Sequence, residues 1–331
     1  MKKYTEKIIS REDLSQEEAY RLMEMIMSGK LNDTQIAGIL VALRMKGESV
    51  DEVTGFAAAM RDKMVSITLE KPAIDMCGTG GDGFGTFNIS TCASFVVAGA
   101  GINVAKHGNR AISSKSGSAD VLLELGFDIN KSINKSVYDI EKFGLGFLFA
   151  PSYHPAMKYV MKARNSLGVR TVFNRLGPLV NPANVKAQAM GIYDEILTES
   201  QATVLKNIGL NRAMVFSGLD GLDEITTTTS TKVSYFMNGD KIQTRHIHPK
   251  DYSIKISSSI DLNGGSPKKN ARIILSILQG KSGFQRDIVV LNAAAGIFVG
   301  GEADSLKDGV NLAIESIDSG SALDILKKVT S

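Results

Sequence analysis

Between residues 15 and 65 apolar side chains return every three or four positions, three times over. Ser15 and Glu18 have the spacing of a capping box ahead of Ala19, Leu22, Met23, Ile26 and Met27, and Gly29 closes that segment. Asn32 or Asp33 can cap a second helix through Ile36, Ile39, Leu40 and Leu43, stopped by Gly47; Ser49 and Glu52 repeat the box before Val53, Phe56, Ala57 and Met60. Each helix is two-faced, so the three must pack on one another as a cap over the rest of the chain, on a partner subunit, or both.

After Ser66 the period changes. A short strand, Ala73 to Met76, leads into a glycine loop, a helix starts near Ser90, and a second strand follows at Ile102 to Ala105. That order predicts a parallel βαβ unit whose ligand sits beyond the carboxyl ends of the strands. Helical patterns at Ala119 to Leu125, Val137 to Lys142 and Met157 to Leu167 then alternate with a buried strand at Gly146 to Ala150. Asn181-Pro182 marks a link. Beyond it come a strand at Ala187 to Tyr193, a helix at Glu199 to Ile208 and a strand at Arg212 to Phe216. Val233 to Met237 and Lys241 to Ile247 flank Asn238-Gly239, a hairpin signal. Helices at Ala271 to Leu278, Asp287 to Val299, Leu306 to Asp318 and Ala322 to Val329 finish the chain. The expected fold class is α/β, with a small helical domain at 1–68, joined by a later helical contribution from about 157–182, and a larger α/β domain at 69–331 with a mostly parallel central sheet.

Composition narrows the class. The 331 residues are 43% hydrophobic, enough for a large core, and 38 basic against 35 acidic residues leave a net charge of only +3, spread along the chain. Without a basic tail or basic–aromatic interleaving, nucleic-acid binding is not expected. Cys77 and Cys92 lack metal-ligand or disulfide spacing, which fits a reducing compartment. Glu6 and Arg11 fall where a signal peptide needs an apolar stretch, and no apolar run reaches the roughly 18 residues of a membrane span. The expectation is a cytoplasmic enzyme.

The chemistry gathers between Asp75 and Ser118. Gly78, Gly80, Gly81, Gly83 and Gly85 precede a polar cluster of Thr86, Asn88, Ser90 and Thr91, and the next strand ends in Lys106-His107-Gly108-Asn109-Arg110. Glycines let a backbone approach a ligand and aim its N–H groups inward, and a hydroxyl-rich helix start adds donors and the positive end of a helix dipole. Gly78-x-Gly80-x-x-Gly83 satisfies a dinucleotide-binding pattern, but a Rossmann unit wants an acidic residue where Lys106-His107 stands, and no Gly-Lys-Ser/Thr makes a P-loop. The inferred ligand is phosphorylated and strongly anionic, since the loop, Lys106 and Ser113-Ser114-Lys115-Ser116 can converge on it.

Cys77-Gly78-Thr79-Gly80-Gly81-Asp82, Asn88-Ile89-Ser90-Thr91, Lys106 to Arg110, Arg164-x-x-Leu167-Gly168-x-Arg170-Thr171-x-Phe173-Asn174, Gly177-Pro178-Leu179-x-Asn181-Pro182 and Gly221-Leu222-Asp223-Glu224 resemble, in order, the motifs of the anthranilate phosphoribosyltransferase family. The resemblance covers nearly the whole chain. It implies a fold of the nucleoside phosphorylase/phosphoribosyltransferase type, a homodimer, and a magnesium-dependent step of tryptophan biosynthesis that joins anthranilate to the phosphoribosyl group of 5-phospho-α-D-ribose 1-diphosphate. It further implies that Gly78, Gly81, Asp82, Thr86, Asn88, Ile89, Ser90, Thr91, Lys106, His107, Gly108, Asn109, Arg110, Ala111, Ile112, Ser113, Ser114 and Ser118 surround the donor. Arg175 departs from the pattern, which leads one to expect an apolar residue there.

Displacing diphosphate from a ribose C1 needs stabilisation of the leaving group and positioning of the nucleophile, with no covalent intermediate. Cys77 and Ser90 therefore read as a small buried residue and a ligand-binding hydroxyl, and Asp82 as either a turn former or a site residue. For anthranilate the candidates are Asn109 and Arg164, with Gly78 and His107 near them, because a carboxylate entering a partly dry pocket favours a guanidinium. A structural role for His107 stands equally open. Mg2+ binds diphosphate oxygens with one or two carboxylates and waters, and Asp223, Glu224 and the Ser90 hydroxyl are its expected ligands. The competing readings are a pyrimidine nucleoside phosphorylase-like enzyme and a non-catalytic nucleic-acid-binding relative of the same fold.

Overall fold

Each of the three capping signals begins a helix in the computed structural model, which describes residues 1–111 and 115–331. Helix α1 (Lys2–Ile9) has no counterpart in the sequence pattern, its single buried apolar residue, Ile8, being too weak a period to read. It precedes α2 (Gln16–Met27), α3 (Asp33–Lys46) and α4 (Val50–Lys63), capped by Ser15, Asn32 and Ser49. All three caps are reciprocal: in α3, for instance, Asn32 accepts from the Gln35 amide at 2.9 Å while Gln35 accepts from the Asn32 amide at 3.0 Å. Asn32, not Asp33, is the cap.

The α/β part runs β1 (Ile74–Gly78), α5 (Ile89–Gly99), β2 (Val104–Gly108), α6 (Ser118–Glu124), α7 (Ile133–Phe143), β3 (Leu145–Phe149) and the short α8 (Ala150–Tyr153). The chain crosses back to the first helices through α9 (Lys158–Leu167) and α10 (Val172–Leu176), then continues as β4 (Ala187–Gly191), α11 (Thr198–Asn207), β5 (Arg212–Gly218), β6 (Thr231–Phe236), β7 (Gln243–Ile247), α12 (Pro267–Leu278), α13 (Phe284–Gly300), α14 (Leu306–Asp318) and α15 (Ser321–Thr330). One sheet holds the strands in the order β3-β2-β1-β4-β5-β6-β7, parallel through β5, with β6 and β7 antiparallel. The β6–β7 hairpin is present, and Asn238 and Gly239 both have positive φ, 51° and 83°. Strand β2 sits further along than its apolar run suggests. It carries Lys106, His107 and Gly108, because burial there is decided by the site at the sheet's end and not by side-chain polarity.

The two faces of the sheet pack differently. Ile74, Met76, Val104, Ala189 and Met214 face α5, α13 and the other C-terminal helices, where α13 is buried almost end to end. Cys77, Met190, Ala213 and Val215 join an apolar cluster with α1 to α4, α9, α10 and α11. No helix among the described residues is long and apolar enough to cross a membrane.

Arg175, the departure noted above, is 1% exposed beneath this second face. Its Nε donates to Gln201 at 3.2 Å, and its Nη1 reaches the Glu48 carboxylate and carbonyl, both at 3.3 Å. A buried arginine is tolerated here because Glu48, just before α4, supplies the opposite charge.

A second buried charge holds the helical part together. Glu52 is fully buried and accepts from the Leu14 amide at 3.1 Å, the Ser49 amide at 2.9 Å and the Lys46 ammonium at 2.9 Å, joining α2's lead-in to α3 and α4. Lys46 also reaches the Gly47 carbonyl at 2.8 Å and Asp13. Replacing Glu52 by Ala leaves a buried ammonium and two amides short of their acceptor. Chemical denaturation should show a loss of about 3–5 kcal/mol, with Glu52→Gln losing less; an unchanged denaturation midpoint for Glu52→Ala would refute this account of the helical packing.

Candidate active site

The strand order reverses at β1. From β1 the chain proceeds outward to β2 and β3, then returns to place β4 on the other side of β1. In parallel sheets the crevice at such a switch point is where ligands bind. Here its floor is a pair of glycines, Gly78 and Gly191, opposite one another at the ends of β1 and β4. The segment after β5 lies directly over them: a Cβ on Gly78 would stand 2.5 Å from Asp223 Oδ2, and one on Gly191 would stand 1.6 Å from the Asp223 carbonyl oxygen. Any side chain at either position would push Asp223 out of the crevice.

From this floor the glycine loop turns away with Gly80 and Gly81 at φ +65° and +78°, a conformation L side chains rarely adopt. The Gly80 amide donates to Asp223 Oδ2 at 2.6 Å. Glu224 accepts the Ser90 amide at 3.2 Å and so occupies the positive end of α5. Both carboxyls are buried, and burial pushes both pKa values up; Asp223 is raised further by Asp82 and Glu224, and Glu224 is partly relieved by Lys106 and the Ser90 amide. Lys106, 3% exposed, donates to the Met76 carbonyl and to Ser90 Oγ at 3.4 Å. Burial pulls its pKa down, against the attraction of Asp75 and Glu224. Two buried acids, with Asp82 close to them, thus share the crevice with one buried lysine. That imbalance suits a divalent cation and an anionic ligand arriving together.

Asn88 does not cap α5 with its side chain. It bonds the Ser116 carbonyl and hydroxyl, both at 3.1 Å, and receives Asn270 of α12 at 2.9 Å. Asp120 ties the same loop from below, accepting the Ala111 and Gly117 amides at 2.9 Å each and pairing with Arg110 at 3.3 Å. Ser118 Oγ donates to the Asn109 carbonyl at 3.2 Å, and Gly108 must lack a side chain because its Cβ would lie 2.4 Å from that hydroxyl. Ile112, Ser113 and Ser114 lie outside the described residues. Thr86, half-buried, bridges to Asn263. Thr91 is 1% exposed, and Ile89 places its side chain in the apolar core, so only its backbone is available to a ligand.

His107 points to the opposite face of β2 from Lys106. Its Nε2 lies 3.2 Å from His154 Nε2, a contact that needs one ring to donate and the other to accept. Burial, then the neighbouring ring, pushes His107 down to about 3, and burial pushes His154 down to about 4, so both are neutral at pH 7. Asp75, fully buried, accepts the His107 amide at 3.2 Å, and burial pushes its carboxyl up to about 6. On α9, Arg164 lies half-buried over the Phe173 ring at 5.1 Å with its pKa lowered by burial, and it makes no ion pair among the described residues. Asn109 is exposed after β2 and shares no hydrogen bond with Arg164 among those residues.

Several supporting residues carry no motif of their own. Asn292 on α13 grips Ile225 by both its amide, at 2.8 Å, and its carbonyl, at 2.9 Å, fixing the backbone just behind Glu224. Gln188 donates to the Pro178 carbonyl at 2.7 Å, while Asn181, which does belong to the Gly177 to Pro182 motif, donates to the Ala105 carbonyl at 2.8 Å. A lone polar residue inside an apolar strand or helix, such as Gln188 in β4 or Asn292 in α13, was the available signal.

Comparison with known proteins agrees with this geometry. Residues 2–64 match the family described as "Glycosyl transferase family, helical bundle domain", and residues 70–323 match "Glycosyl transferase family, a/b domain". The anthranilate phosphoribosyltransferase of Thermoanaerobacter sp. (strain X514) is 54% identical over 98% of this chain and 96% of its own, and that of Alkaliphilus metalliredigens (strain QYMF) is 51% identical over 99% and 97%. Among solved structures, the anthranilate phosphoribosyltransferase of Thermus thermophilus superposes with a TM-score of 0.93 at 40% identity, covering 98% of each chain. The Saccharomyces cerevisiae enzyme in complex with PRPP and Mg does so at 0.89 and 30%, covering 98% of this chain and 95% of its own. The chain belongs to the anthranilate phosphoribosyltransferase family.

Proposed function

We propose that this chain transfers the 5-phosphoribosyl group of 5-phospho-α-D-ribose 1-diphosphate to anthranilate, giving N-(5-phospho-β-D-ribosyl)anthranilate and diphosphate in tryptophan biosynthesis. The observation that carries the reading is the acid pair buried at the switch point beneath a glycine loop, with a buried lysine beside it. The amine nitrogen of anthranilate forms a bond to the ribose C1 as the bond from C1 to the diphosphate oxygen breaks, and the amine then gives up a proton. Lys106 and the loop amides receive the growing negative charge on the leaving group. Asp223, Glu224 and the Ser90 hydroxyl would hold magnesium, which would supply further positive charge to the diphosphate oxygens. No cage of three His, Cys, Asp or Glu groups exists among the described residues, which fits an ion bound largely through substrate oxygens and water. Arg164, half-buried and without an ion pair among the described residues, supports capture of the anthranilate carboxylate, with Asn109 at the loop beyond β2. His107 and His154, both neutral, fit the wall of that pocket. A fast-acting general base is unnecessary, because an aromatic amine is neutral at pH 7.

The same reading includes a cytoplasmic homodimer built on the helical segment. On α3 the outward positions Gly38, Val41 and Met45 form a helical stripe, with Val41 37% and Met45 74% exposed.

Three measurements test these assignments. The chain has no tryptophan, so anthranilate consumption can be followed by its own fluorescence as magnesium is titrated. The Asp223→Asn, Glu224→Gln double variant should shift the rate curve to higher magnesium while melting at the same or a higher temperature, since buried like charges are removed; an unshifted curve rules out the metal role. Arg164→Ala removes a charge-assisted contact worth roughly 1.5–3 kcal/mol, which should raise KM for anthranilate by about one to two orders of magnitude and leave that of the donor unchanged. Equal losses for both substrates would point to a structural role. In sedimentation at micromolar concentration the native chain should run at twice 35.5 kDa, and Met45→Glu should shift it toward the monomer; a native monomer would remove the dimer from the proposal.

A further inference from the structure

One cation of the cleft has no role in the transfer as described. Arg170 stands in the turn between α9 and α10, on the helical side. Its carbonyl is held by the Arg44 guanidinium, and its own guanidinium crosses to the sheet side and lies 4.4 Å from the centroid of the Tyr193 ring. Tyr193 belongs to the glycine loop's own framework: its amide donates to Thr79 Oγ1 at 3.2 Å, and the Thr79 amide donates to the Gly191 carbonyl at 3.0 Å. Arg170 Cδ and Nε lie 3.9 Å from where a Cβ on Gly81 would be. The side chain therefore spans the cleft and rests against the glycine loop, half-buried.

Its present partner is a poor one for its charge. No carboxylate forms an ion pair with Arg170 among the described residues, although Asp82, Asp223 and Glu224 cluster near the same loop. Of these, Asp223 and Glu224 are engaged by the Gly80 and Ser90 amides. A ring face holds a guanidinium less strongly than a phosphate does, and a phosphate can take two parallel N–H bonds from it. A multiply charged anion at the glycine loop would thus draw Arg170 off Tyr193 by a short rotation of its outer torsions.

We propose that Arg170 is a further donor-binding residue, which leaves the Tyr193 ring for the diphosphate and joins the helical side of the cleft to the glycine loop once the donor is bound. This rests on the reading that the donor's diphosphate sits at that loop. Lys106 and the metal ligands hold the diphosphate from within the sheet domain, and Arg170 holds it from across the cleft.

Calorimetric titration of inorganic diphosphate, in magnesium, separates the two claims. Wild type should bind, Arg170→Gln should bind at least tenfold more weakly, and Arg170→Lys, which keeps the charge without the fork, should fall between. In steady state Arg170→Gln should raise KM for the donor by a similar factor and leave KM for anthranilate within twofold. Unchanged diphosphate binding in both variants overturns the role of Arg170 while the donor reading stands. A rise in KM confined to anthranilate also overturns it and moves Arg170 to the acceptor pocket. Failure of wild type to bind diphosphate overturns the donor reading and this inference with it. Matching thermal melts for the three proteins exclude misfolding as the cause of a loss.

Discussion

Everything at the site depends on how closely the Asp223 backbone lies on the sheet. Gly78 and Gly191, at the ends of two adjacent parallel strands, leave a gap that no other residue would leave, and the segment after β5 fills it with Asp223. That contact brings two carboxyls within reach of the Gly80 and Ser90 amides, so the glycine loop and the start of α5 are located by the same acids. Asn292 and Asn88 then secure what the glycines permit, one behind Glu224 and one beneath the loop that follows β2. The site is rigid where charge must be met and is built from elements of a packed sheet.

The electrostatic arrangement follows from that closeness. Burial raises the acids and lowers Lys106, which means the crevice holds its charges at a disadvantage that a cation and an anion together would relieve. Arg164 on the helical side shares this condition, its pKa lowered by burial, and it and Arg170 each lie over an aromatic ring without a carboxylate in an ion pair among the described residues. Stability given up by such groups is the ordinary cost of a site made for ligands of the opposite sign.

Much of this was legible in the chain. Helices α2, α3 and α4 announced themselves through capping chemistry, which is local and needs no tertiary partner. The glycine loop was readable because glycine clusters have few uses, and the Asp223-Glu224 pair because it follows a strand pattern and stands in one of the motifs that carry the family resemblance. What escaped was decided at long range. Strand β2 extends through Lys106 and His107 because its neighbours bury them. The pairing of His107 with His154, and of Arg175 with Glu48 and Gln201, joins residues far apart in sequence whose mutual position only the fold supplies. Tyr193 looked like the end of a strand; its value as a seat for Arg170 arises from the turn that follows β4.

The hairpin that ends the sheet bears on solubility. A parallel sheet of this kind is assembled from distant segments, so its strands wait for partners while the chain folds, and an open edge can recruit a strand from another molecule. Here the outermost strand, β7, presents Gln243, Thr244, Arg245 and His246 to solvent and buries only Ile247. A neighbouring chain that tried to extend the sheet would meet polar and charged side chains in place of a sticky apolar border, so the antiparallel hairpin serves as a seam that stops the sheet from growing between molecules.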